Sequence, residues 1–220
     1  MDQPKVFISV GGTTTAEQEE FVKHIEDRLQ AENLTPNTIG RNKFSADSPL
    51  KSIKDLMDEC SGILVIALER TYFEKGLEKR GSTQEIQLST TKFSTPWNQI
   101  ESAMAYAKNL PILVIVEEGV RAEGLLEKGY DWYVMTAKPN QSSLLTAEFN
   151  GVLASWKSKV EKLNLSKNDT TALKKKVVPD ELTIGDLVSG MKPAQLWGVL
   201  GAIIALMIGI FVIGQHFPVK

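Results

Sequence analysis

Ile63-Leu64-Val65-Ile66-Ala67-Leu68 carries no polar side chain at any position. A strand with one wet face alternates apolar and polar residues, so an unbroken apolar run reads as a strand covered on both faces, as in the centre of a parallel sheet. Pro111-Ile112-Leu113-Val114-Ile115-Val116 is a second run of this kind, and Lys5-Val6-Phe7-Ile8-Ser9-Val10 a shorter β-rich one. Leu34 to Ile39 is a weaker strand, which Pro36 places at an edge, and Asp131-Trp132-Tyr133-Val134-Met135 is the expected last strand. Helical patterns lie between. Thr15 caps a helix with Phe21, Val22, Ile25 and Leu29 on one face, and Ser48-Pro49 opens one with Leu50, Ile53, Leu56, Met57 and Cys60. Thr95-Pro96 opens a third, and Leu145, Phe149, Val152, Trp156, Val160 and Leu163 mark a long fourth. Strand and helix alternate throughout. The fold class is therefore α/β, with a mainly parallel sheet of about five strands.

Composition bounds the function. A net charge of -2 over 220 residues gives no basic surface for nucleic acid. One cysteine, Cys60, excludes an internal disulfide framework, and with only His24 and His216 beside it a conventional zinc site is not expected. Cys60 reads as a small buried residue and His24 as a solvated one. Met1-Asp2-Gln3-Pro4-Lys5 runs straight into a strand without signal-peptide anatomy, which points to a cytosolic main domain.

Ligands of parallel α/β sheets sit at the carboxyl ends of the strands, here Ser9–Thr15, Leu68–Tyr72 and Glu117–Val120. Gly11-Gly12-Thr13 leads from a strand into a helix, so its backbone N–H groups can meet a phosphate; an ordinary tight turn is the other reading. In Ser94-Thr95-Pro96-Trp97-Asn98-Gln99-Ile100-Glu101, the helical spacing puts Ile100, Ala103, Met104 and Ala107 on the packed stripe. Trp97, Glu101 and Ala105 fall on an adjoining face. Glu101 is then either a solvated surface carboxylate or the acid of a site facing the crevice. Glu74 to Ser94 is long for a connection and reads as a lid, an assembly surface or a mobile insertion.

Ser166 to Val178, with Lys174-Lys175-Lys176, reads as a polar linker, taken as residues 166–181. Residues 182–194 read as a juxtamembrane amphipathic piece. Leu196 to Gly214 is uncharged and long enough to cross a bilayer as a helix, giving an expected span over 195–215 with Trp197 at the interface. Lys174 to Lys176 and Lys192 precede it and only Lys220 follows, which keeps the large domain cytoplasmic. Gly201, Ala205 and Gly209 form a small-residue face suited to helix association.

Val6-Phe7-Ile8-Ser9, the Arg41–Pro49 loop before an apolar helix, Trp97-Asn98-Gln99-Ile100-Glu101 and Leu110-Pro111-Ile112-Leu113-Val114 together resemble a Toll/interleukin-1 receptor (TIR) domain. The match runs in order and spacing over roughly residues 4–160. It implies a flavodoxin-like five-stranded sheet over residues 1–165 with helices on both faces. The long Glu74–Ser94 segment and the non-acidic Gly11–Thr15 loop depart from the TIR pattern. Both also suit nucleoside deoxyribosyltransferase-like relatives, whose helix has a glutamate before small residues, as in Glu101-Ser102-Ala103-Met104-Ala105.

Either resemblance implies chemistry at an N-glycosidic bond. Glu101 then takes the catalytic role, with NAD or a related nucleotide as substrate and neither cofactor nor metal required. Ser9, Gly11, Gly12 and Thr13 would contact phosphates, Phe44 or Tyr72 would stack on a base, and Trp97 would line the pocket. The resemblance also leaves open a non-catalytic module that senses a nucleotide or recruits like domains, and a clustered anchor that perturbs the membrane. Its architecture, a TIR-like domain on a single-pass anchor, suggests a bacterial inner-membrane effector in antiviral or stress signalling. Such an effector would form homo-oligomers through the domain and the Gly201/Ala205/Gly209 face.

Overall fold

The computed structural model of the chain describes residues 3–176, and the side chains of residues 3–169. The chain divides into two compact units after Lys167, and the first contains the sheet. Five strands, β1 (Lys5–Val10), β2 (Thr35–Asn37), β3 (Ile63–Ala67), β8 (Ile112–Glu117) and β9 (Tyr133–Ala137), form one parallel sheet in the order β2-β1-β3-β8-β9. The α/β class and the parallel sheet are as expected from the apolar runs. The last strand begins two residues later than Asp131, and Pro36 does lie in the edge strand. β3, in the middle, is buried at every position.

Alternation along the strands divides the core into two layers. Val6, Ile8, Leu64, Ile66, Leu113 and Ile115 pack against α1 (Ala16–Ala31) and α4 (Ala147–Lys176). Phe7, Ile63, Val65, Ile112 and Val114 pack against α2 (Pro49–Glu59) and α3 (Pro96–Ala107). Thr15 caps α1 through the Gln18 amide and Thr95 caps α3 through the Trp97 amide. Ser48 makes no side-chain cap, so Pro49 with its preset φ opens α2.

Three expectations need correction. The Glu74–Ser94 stretch is not an irregular loop. β4 (Thr71–Phe73) pairs antiparallel with β7 (Thr91–Phe93), and β5 (Gly76–Glu78) with β6 (Ile86–Leu88), making a ribbon that leaves the end of β3 and returns to α3. Its strands are only three residues long, too short for an alternation pattern to register. Leu50 and Leu145 are exposed rather than packed. His24 is only half exposed, and its Nδ1 is buried without a hydrogen-bond partner. The expected linker, residues 166–181, is helical as far as Lys176, and its remainder lies outside the described residues. Cys60 is buried, and burial pushes its thiol up to about 12. Among the described residues no helix is long and apolar enough to cross a membrane. The expected span and the segment before it lie outside the described residues.

Candidate active site

The strand order reverses direction between β1 and β3. The connection after β1 leads to α1 on one face and that after β3 leads, through the ribbon, to α3 on the other. Such a switch point, beyond the carboxyl ends of the two strands, is where open α/β sheets bind their ligands in a crevice. Ser9 pairs with Val65 across it. Two residues on from Phe7, the Ser9 side chain faces α3.

The face that α3 turns inward is not the apolar one. Asn98, Glu101, Ser102 and Ala105 are buried, whereas Ile100 is 40% exposed and Ala103 and Ala107 are exposed. The inward face is thus rotated from the expected stripe, because polar groups at the sheet edge supply partners that an apolar stripe lacks. Asn98 Nδ2 donates to the Ser9 carbonyl at 3.2 Å and to Ser9 Oγ at 3.0 Å. Ser102 Oγ donates to the Asn98 carbonyl at 2.6 Å. The Ser9 hydroxyl favours the ionised form of the Glu101 carboxyl.

Glu101 is only 7% exposed. Burial raises its carboxyl from 4.5 to about 7, the Ser9 hydroxyl opposes the rise, and no charged neighbour contributes. An acid desolvated without a cation beside it is the signature of a site rather than of a structural ion pair. Its position on the helix is fixed by Lys108, seven residues on and so on the same flank, which bonds Asp58 of α2. Glu101 and Trp97, one turn earlier, therefore lie on the flank of α3 towards α2. Gln99 lies on the far flank, bonded to Glu123 and Leu125. An open cleft of about 340 Å³ lined by Phe73, Phe93, Thr95, Gln99 and Arg121 belongs to that far flank.

Of the other residues singled out in the sequence, Gly11 and Gly12 lie at the crevice. A Cβ on Gly11 would come within 3.0 Å of Thr95 Cγ2, so the loop passes hard against the cap of α3. The Gly12 carbonyl accepts from Arg70 Nη1 at 3.3 Å. Thr13 Oγ1 donates to Glu19, which also pairs with Arg41; those two partners hold the Glu19 carboxyl down to about 2. Trp97 is 39% exposed on the Glu101 flank. Phe44, in the β2–α2 loop, and Tyr72, on the ribbon, are 79% and 49% exposed.

Sequence reasoning missed the polar clasp that shapes the crevice. Gln18 Oε1 accepts from the Thr14 amide and hydroxyl at 3.0 and 2.9 Å. Its Nε2 donates to the Glu69 carbonyl at 3.1 Å and to Glu117 at 3.2 Å, and Glu117 also accepts from the Glu69 amide at 2.8 Å. One buried glutamine thus ties together the loops after β1 and β3 and the end of β8. Nothing in its sequence neighbourhood distinguishes Gln18 from an exposed helix residue. Asn98 offered one signal, an amide at helical spacing before a glutamate.

No family model matches the chain, and no curated protein matches it. Among solved structures, the chain is similar to the CMP N-glycosidase BcmB of Clostridium botulinum, with 17% identity over 73% of this chain and 98% of that one, at a TM-score of 0.36. It is also similar to a conserved protein from Enterococcus faecalis V583, with 15% identity over 74% of this chain and 99% of that one, at a TM-score of 0.32. At those values neither likeness bears on this chain's chemistry.

Proposed function

We infer that the domain cleaves the N-glycosidic bond of NAD or a related nucleotide, with Glu101 as the carboxylate at the anomeric carbon. The observation that carries this reading is the buried, cation-free Glu101 at the crevice between β1 and β3. Breaking the bond sends its electron pair to the departing nitrogen and leaves oxocarbenium character on the ribose. A fixed anion in a dry site stabilises that charge or attacks it. Water then adds to the anomeric carbon and releases a proton. The carboxyl stands alone: no second ionisable group perturbs it. A lone carboxylate suits a pyridinium leaving group, which departs neutral and needs no proton from the protein. A cationic substrate beside Glu101 draws it towards its ionised form.

The full chain, held at high density in a lipid bilayer, is expected to consume NAD and release nicotinamide, and the Glu101→Gln variant to do neither. The membrane is part of the proposal, resting on the apolar Leu196–Gly214 stretch, because an anchor concentrates copies in two dimensions. Failure of the parent to turn over NAD or related pyridinium nucleotides when crowded would favour the non-catalytic reading, in which the same crevice senses a nucleotide.

A further inference from the structure

Arg28, Arg41 and Arg121 are each held by carboxylates, Arg28 by Glu32, Arg41 by Glu19 and Glu26, and Arg121 by Glu78 and Glu123. Arg70 has no carboxylate partner among the described residues. The neighbouring Glu69 does not claim it, because Glu69 pairs with Lys92 at 2.6 Å. Arg70 follows the end of β3, and its amide donates to the Phe93 carbonyl of β7 at 2.8 Å, so the ribbon fixes where the side chain starts. The exposed side chain turns back over the loop after β1. Its Nη1 donates to the Gly12 carbonyl at 3.3 Å and would lie 3.4 Å from a Cβ on Gly12. That one long bond leaves the other guanidinium donors unused among the described residues.

The loop beneath it carries donors in the same state. The amides of Gly11, Gly12 and Thr13 make no hydrogen bond among the described residues, whereas the next amide, Thr14, is bonded to Gln18. The Thr13 hydroxyl donates to Glu19 at 2.6 Å, so that residue offers only its amide. Consecutive amides without an acceptor, beside a guanidinium without a carboxylate, complement the oxygens of a phosphate. The set lies on the same crevice as the Glu101 helix. Ser9, three residues before Gly12 and at most roughly 10 Å away along the chain, bonds Asn98 one turn before Glu101, and Gly11 between them lies against the cap of α3. We propose that Arg70 binds the phosphate of the nucleotide, clamping it onto the amides of Gly11, Gly12 and Thr13, and so makes the site select nucleotides over their nucleosides. The proposal rests on this crevice being the nucleotide site.

The test is calorimetric binding to the full chain carrying Glu101→Gln, in lipid nanodiscs, so that no probe is consumed. The probes are nicotinamide mononucleotide against nicotinamide riboside, and AMP against adenosine. Each nucleotide is expected to bind about 10–100-fold more tightly than its nucleoside, the range of a charge-assisted contact. Adding Arg70→Ala is expected to weaken the nucleotides by that factor and leave the nucleosides unchanged. Arg70→Lys keeps the charge without the planar fork and recovers part of the loss. Arg80→Ala, at a second arginine without a carboxylate partner among the described residues but out on the ribbon after β5, changes neither. The urea midpoint of Arg70→Ala stays in place, because the side chain is exposed. A nucleotide preference that survives Arg70→Ala, the absence of any preference before it, or an equal loss for nucleotide and nucleoside would overturn the proposal. NAD turnover by the parent judges the other reading separately. Turnover without a phosphate preference sinks only the role of Arg70, and a preference lost in Arg70→Ala without turnover sinks only the glycosidase.

Discussion

Replacing Glu101 by glutamine tests the site through stability as well as activity. The carboxyl sits at about 7 in the fold against an ordinary 4.5, with burial as the main cause. Between those values the folded chain holds a proton that the unfolded chain has lost, so stability falls as pH rises through this window and levels off above it. The displacement corresponds to roughly 3 kcal/mol. Glutamine keeps the shape and never ionises. The variant is therefore expected to match the parent near pH 4.5 and to exceed it by up to roughly 3 kcal/mol at pH 8. For a domain of this size that is a gain of about 6–12 °C in Tm. Thermal and urea unfolding of parent and variant at pH 4.5, 6 and 8 would measure it, alongside nicotinamide release. Greater stability with lost turnover marks a residue kept for chemistry. A stability difference that does not change between pH 4.5 and 8 would refute the reasoning, since Glu101 would then not be the desolvated acid described here.

If Glu101 acts as its anion, kcat/KM for NAD is expected to rise with pH and reach a plateau above about 7, and a profile flat from pH 5 to 9 would count against that role. Gln18→Leu removes the clasp and strands the Thr14 amide and the Glu69 carbonyl. A loss of about 1–3 kcal/mol is expected, with faster hydrogen exchange at Thr14 and Glu69 read by mass spectrometry. Gly62→Ala would place a Cβ 2.5 Å from Val160 Cγ2 and 3.2 Å from Trp156, so the urea midpoint should drop by the equivalent of about 1–3 kcal/mol. Gly151→Ala, in α4 with nothing within 4 Å, should instead gain about 0.5–1 kcal/mol.

The local sequence was enough for the sheet and its helices. Apolar runs such as Ile63–Leu68 lose their hydrophobic stabilisation unless both faces are covered, so burial and parallel pairing follow from composition alone. Helix starts were equally local: Thr15 and Thr95 cap the helices that follow them, because the capping oxygen and its amide partner are only two or three residues apart. Glu101 could be named from spacing and resemblance, but not its state, because desolvation depends on what the rest of the chain places around it. The same limit hid the ribbon, whose three-residue strands are held by pairing across the insertion rather than by an internal pattern. It also hid the inward phase of α3. Hydrophobicity favours Ile100 and Ala103 for the buried side. The packed structure turns Asn98, Glu101 and Ser102 inward instead, because Ser9, some ninety residues away in the chain, supplies the hydrogen bonds that make burying polar groups tolerable. Partners that distant are brought together only by the order of strands in the sheet, which local sequence does not encode.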